Sequence, residues 1–122
     1  MATGTGYDEL ITGDACSEVR FVRDYVQIVF WPLTLSVYSP IQVQLTGRGS
    51  LNRTDVGFFD AICGLIGQRI VDTARIEKTQ MSLQFEDGTV LHFSLRPSDV
   101  TGPEIAQLSD DKGFLMVERY GE

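Results

Sequence analysis

At 122 residues and 13.6 kDa, with 43% hydrophobic and 22% charged residues, the chain has the size and mixture of one globular domain, which excludes a disordered or fibrous protein. The net charge of −7 is spread over both halves, so the basic patch that nucleic-acid binding needs for counterion release is missing and no nucleic-acid partner is expected. No apolar run approaches the roughly 20 residues that span a bilayer, and "MATGTGYDELITGD" lacks the basic and apolar regions of a secretory signal; the expectation is a cytoplasmic protein with no membrane partner.

Residues 1–14 mix Gly, Thr and acids without a period and are expected to be a loose start to a single domain, 1–122. From Glu18, the segments "EVRFVR", "YVQIVFW", "LTLSVY" and "IQVQLTG" are rich in β-branched and aromatic residues. Arg23-Asp24, Pro32 and Ser39-Pro40 punctuate them as turns, and the simplest reading is a four-stranded meander. "GRGSLNR" reads as a loop. In "TDVGFFDAICGLIGQ" the period changes: Phe58, Ile62 and Leu65 share one helical face, and Phe59, Cys63 and Ile66 the next. Thr54 or Asp55 suits the N-cap and Gly67 the C-terminal cap, which predicts a helix over 54–67, apolar enough to be buried against a sheet.

"RIVDTARIEK", "MSLQFE" and "TVLHFSL" are three further strand candidates, the last two joined by the turn signal Asp87-Gly88. "TGPE", Thr101 to Glu104, fits a capping box with Pro103 in the first turn, and so predicts a short helix through Leu108 before the last strand, "FLMVERY". The expected fold is therefore α+β and β-rich: about seven or eight mostly antiparallel strands packed on one buried central helix, with a short second helix.

Residues 17–48 and 70–100 echo one another. A shift of 55 places Val19 on Ala74, Phe21 on Ile76, Ile28 on Leu83 and Phe30 on Phe85; one extra residue in the second turn brings Leu35 onto Leu91 and Val37 onto Phe93. Any two hairpins with period-2 alternation align in this way, so duplication stays open. The outward faces differ more clearly. In the second copy Ser82, Gln84, Glu86, His92, Ser94 and Arg96 are polar, whereas the first copy presents Tyr25, Gln27, Val29, Trp31, Thr34, Ser36 and Tyr38. That aromatic face calls for a cover: the helix around Phe58, the terminal segments, or another chain.

Little in the chain suggests catalysis. His92 is the only histidine, without zinc-motif spacing, and is expected to point outward beside Ser94. Cys16 and Cys63 are too few for a disulfide framework and read as buried free thiols, so the sequon at Asn52 to Thr54 carries no glycan in this setting. Neither a Gly-x-Ser-x-Gly elbow nor a phosphate loop is present. Asp87, Asp99 and Glu104 each have a cheaper reading, in a turn, a loop and a cap. No enzyme activity, cofactor or metal is expected.

"LQFEDGTVLHFSLRP" followed by "GPEIAQL", with the helix ending in "GLIG", resembles small acidic bacterial domains of unknown function, over about residues 17–108. Some α+β domains of that type are immunity proteins that neutralise a toxin by covering its active site, so the resemblance implies a protein-binding role and supplies no catalytic residue. The leading expectation is a non-enzymatic interaction module, immunity-like, using Tyr25, Trp31 and Tyr38 against a protein partner or a second copy of the chain. The alternative is a small-ligand-binding domain with its pocket between helix and sheet.

Overall fold

The computed structural model describes residues 13–47, 49–76, 79–96, 104–110 and 113–119. The first half supplies β1 (Glu18–Val22), β2 (Tyr25–Val29), β3 (Thr34–Val37), β4 (Ile41–Leu45) and β5 (Gly49–Asn52). A short helix, α1 (Phe58–Cys63), leads to β6 (Ile70–Ile76), β7 (Gln80–Phe85), β8 (Val90–Ser94), β9 (Glu104–Asp110) and β10 (Gly113–Arg119). They form two five-stranded sheets, β1-β2-β3-β9-β10 and β5-β4-β8-β7-β6, with every pairing antiparallel.

Each sheet is a three-stranded meander completed by a hairpin from the other half of the chain. β9–β10 adds to β3, and β4–β5 adds to β8. The registers correspond: Val26 faces Val37 where Met81 faces Phe93, and Leu35 faces Leu108 where Leu91 faces Val43. Leu35 thus occupies the place of Leu91, and Val37 that of Phe93. The first strands align differently from the shift of 55. Ile28 pairs with Val19 and Leu83 with Thr73, so Val19 matches Thr73 rather than Ala74. The β6–β7 turn is one residue longer, and a one-residue slip exchanges the two faces of a strand.

The inward faces of the two sheets pack on each other. Val26, Ile28, Leu35, Val37 and Leu108 from the first sheet share one buried cluster with Val43, Met81, Leu83, Leu91 and Phe93 from the second. Burying such side chains stabilises by roughly 1.5–3 kcal/mol each before conformational entropy is subtracted, so this sandwich interior is the main source of stability. One side is also laced: Ala15 bridges Arg69, Cys16 N–H donates to the Gln68 carbonyl at 2.9 Å, and Gly67 N–H donates to the Cys16 carbonyl at 2.7 Å.

Several expectations are corrected. The described residues form ten strands, not about seven or eight, because "GRGSLNR" contributes β5 and the segment from Glu104 contributes β9. The four-strand meander stops at β3, since β4 crosses to the other sheet. The short second helix is absent among the described residues: Ala106 and Leu108 alternate inward, and pairing with the open edge of β3 outweighs local helix propensity. Residues 101–103 of the capping box lie outside the described residues, and Glu104 begins a strand.

The helix over 54–67 contracts to six residues. Asp55 turns back instead of capping it, its carboxylate accepting from Asn52 N–H at 2.7 Å; Gly57, at φ 93°, takes the N-cap position without a side-chain cap. Residues 64–67 then continue as tight turns, with Leu65 N–H on the Ile62 carbonyl and Gln68 N–H on the Leu65 carbonyl. Nor is the helix buried throughout. Phe58 and Ile62 enter the core, while Phe59 and Cys63 are exposed, so α1 covers an end of the sandwich. Of the expected loose start, residues 1–12 lie outside the described residues; Gly13 and Asp14 are tied to Ile70 by two backbone hydrogen bonds.

Candidate functional site

The antiparallel β2–β3 hairpin sorts the three predicted interaction residues. Tyr25 and Tyr38 lie side by side at its open end, ring centroids 5.0 Å apart and tilted by 52°. Trp31 sits at the other end, in the turn that Phe30 N–H closes by donating to the Leu33 carbonyl at 2.7 Å. Six residues of extended chain separate Trp31 from Tyr25, a span on the order of 20 Å. Trp31 is 72% exposed, whereas Tyr25 and Tyr38 are half-buried. The tyrosine pair and the tryptophan therefore form two features rather than one aromatic face.

Around the tyrosines is a cleft of about 610 Å³, at the corner where the β1–β2 turn, the β3–β4 crossover and the β5–α1 loop meet. Its apolar wall comes from Val26, Val37, Ile41 and Phe58, a helix residue against sheet residues. Its polar lining includes Asp24, Asn52 and Arg53 as well as the two tyrosines. Arg53 fixes the corner: one guanidinium nitrogen donates to the Val22 carbonyl at 2.7 Å and the other to the Tyr25 carbonyl at 3.4 Å. Gln107 on β9 donates its side-chain amide to the Tyr38 hydroxyl, which holds that ring in place and leaves the phenolic proton free to be donated.

Ser39 is the anomaly of this corner. It is 5% exposed, lines the cleft, and its hydroxyl has no hydrogen-bond partner among the described residues. A buried hydroxyl of this kind is costly unless something bonds to it. Neither Ser39 nor Arg53 was legible as a site residue from the sequence; "SP" before a strand reads as a turn, and an arginine in a loop reads as solvated.

The same corner of the second sheet is polar. Ser82, His92 and Gln42 stand in one row across β7, β8 and β4, the row that Gln27, Ser36 and Gln107 occupy on the first sheet. His92 Nδ1 is 2.7 Å from the Ser82 hydroxyl, and Nε2 is 3.2 Å from the Gln44 side-chain carbonyl. Ser82 therefore donates to Nδ1, and Nε2–H donates to Gln44. Desolvation holds the His92 pKa below its ordinary value, so the ring is neutral at pH 7. The histidine expected to stand free on the surface is instead half-buried and held at both nitrogens.

Among the described residues no group of three or more His, Cys, Asp or Glu is placed to hold a metal ion. Cys16 is buried, and burial pushes its thiol pKa up; Cys63 is exposed, contrary to expectation, because its side of α1 faces outward. No helix of the described residues is long and apolar enough to cross a membrane. The chain matches no family model, no curated protein and no solved structure.

Proposed function

We propose that the chain is a non-enzymatic binding module whose site is the corner cleft beside Tyr25 and Tyr38, taking a small, largely apolar ligand that carries one hydrogen-bonding group. The observation that carries this reading is that Ser39, whose buried hydroxyl has no hydrogen-bond partner among the described residues, is one of the residues lining the cleft, beside aromatic and aliphatic side chains. Clefts of this size with few convergent polar groups are the usual form of small-molecule sites. A ligand bound by the native state alone raises the unfolding midpoint with its concentration, by about 2.7 kcal/mol of added stability at 100 times Kd. A fragment library is screened by thermal shift, and hits are repeated on Ser39→Ala and Tyr38→Phe. Hits that lose their shift on these variants support the reading; a library without concentration-dependent shifts, or hits indifferent to both variants, sinks it.

A second reading keeps the interaction module, immunity-like, and places its anchor at Trp31. Its support is the 72% exposure of that ring, since a large exposed indole is a common anchor at protein interfaces. The partner is then a basic protein surface or a second copy of the chain, steered by the net charge of −7. Trp31 is the only tryptophan, so its emission has one source. Emission that shifts blue as light scattering registers a dimer or complex supports this reading, and association unchanged in Trp31→Ala removes it. A cytoplasmic, bacterial setting belongs with either reading; the exposed free thiol of Cys63 fits a reducing compartment.

A further inference from the structure

The correspondence between the two sheets isolates a second cleft. On the first sheet the rings of Tyr25 and Tyr38 lie in contact, tilted by 52°, and Gln107 donates to the Tyr38 hydroxyl. At the matching positions on the second sheet stand Gln80 and Ser94, directly paired across β7 and β8, with Gln42 in the place of Gln107. Two rings are thereby exchanged for a short amide and a hydroxymethyl group. What remains is a hollow of about 250 Å³ lined by Gln42, Asn52, Gln80, His92, Ser94 and Arg96 among others.

The chemistry of the hollow is one-sided. Among the described residues none of the lining groups is acidic, and Arg96 is the only charged one. With the phenol gone, Gln42 donates its amide to the Asn52 side-chain carbonyl at 2.9 Å, which leaves the Asn52 amide nitrogen on the other side of its group as a donor. Gln80 holds a second amide nitrogen at the same corner, 3.5 Å from His92 Nδ1. His92 itself is held by Ser82 and Gln44, so it forms a fixed wall rather than a mobile ligand. Two amide side chains and a guanidinium lining one small hollow match two coplanar acceptor oxygens, and the space left by the rings matches a flat body.

We propose that this cleft binds a small carboxylic acid with a planar body, its carboxylate taken by Arg96 and the amides of Asn52 and Gln80, its body lying where the first sheet has the ring of Tyr38. The hollow shares Pro40 and Asn52 with the lining of the corner cleft, whereas Gln80, His92, Ser94 and Arg96 line the hollow alone. The test is an NMR titration of the full chain with benzoate, benzamide and inorganic phosphate. Benzoate is expected to shift the resonances of Gln42, Gln80 and Ser94 saturably, while benzamide and phosphate leave them in place. Arg96→Gln is expected to weaken benzoate at least tenfold. Ser94→Tyr, which restores the ring of the other sheet, is expected to abolish binding with the thermal midpoint retained; should that variant fail to fold, Arg96→Gln alone decides, because Arg96 is exposed and makes little packing. The proposal is overturned by the absence of saturable benzoate shifts, by benzamide binding as tightly as benzoate, by phosphate binding where benzoate does not, or by unchanged affinity in Arg96→Gln.

Discussion

Replacing Ser39 by alanine should make the protein more stable. The side chain is 5% exposed and its hydroxyl has no partner among the described residues, so folding strips the group of water without compensation from them. The cost of an unsatisfied buried hydroxyl is about 1–3 kcal/mol. Alanine keeps the Cβ and gives up only the contacts of one oxygen, at ~0.1–0.2 kcal/mol for each atom pair, a few tenths to about 1 kcal/mol in sum. The balance is a gain of about 1 kcal/mol, or roughly 3–5 °C in the midpoint for a domain of this length. Urea and thermal denaturation of the two proteins, monitored by Trp31 fluorescence and circular dichroism, measure it. A midpoint that falls by a degree or more would show that the hydroxyl is bonded in the native state, and the reason for expecting a ligand in the corner cleft would go with it. Stabilisation together with loss of ligand response would mark Ser39 as a position where binding opposes stability.

Gly88→Ala is expected to destabilise by about 2–3 kcal/mol, since φ is 91° there and an added Cβ would meet Thr46 Oγ1 at 2.6 Å; an unchanged urea midpoint would contradict this. Arg53→Met keeps much of the stem but strands two carbonyls of the β1–β2 turn, and a loss of about 1.5–3 kcal/mol should appear in denaturation, with faster amide exchange at Asp24 and Tyr25. His92 has a native pKa below its unfolded value of about 6.5, so the unfolded chain takes up the proton first. Its contribution to stability is complete above about pH 6.5 and is lost as the pH falls toward the native pKa. Stability measured between pH 7.5 and 5 should therefore fall more steeply in the native protein than in His92→Gln, and parallel curves would refute the assignment.

The hairpin "MSLQFEDGTVLHFSL" was legible because strict alternation and an Asp-Gly turn agree, and Met81, Leu83, Phe85, Leu91 and Phe93 all face the core. β9 was not, because "EIAQLSD" supports either period locally and only the open edge of β3 decides between them. The helix was overextended because Phe58, Ile62 and Leu65 stay buried whether the chain is helical or in tight turns, so the apolar spacing did not mark where α1 ends. At the site, composition identified Tyr25 and Tyr38 as unusual for an outer face, but the turn between strands, not the alternation, is what sends Trp31 away from them. The hollow at Gln80 and Ser94 had no sequence signal at all: it exists only by comparison with the other sheet.

The exchange of hairpins has a consequence for how the chain acquires its structure during synthesis. When β1 to β5 have left the ribosome, β3 presents an open edge and the β4–β5 hairpin has no sheet to join. When β6 to β8 follow, that hairpin finds its place, but β3 must wait for β9 and β10, which come later in the chain. Pairings so distant in sequence are slow to form and leave strand edges open to other chains in the meantime. Neither half can be finished ahead of the other, so the nascent chain gains no stable intermediate from its N-terminal half and should reach the native state only once β9 and β10 have emerged, in one cooperative step.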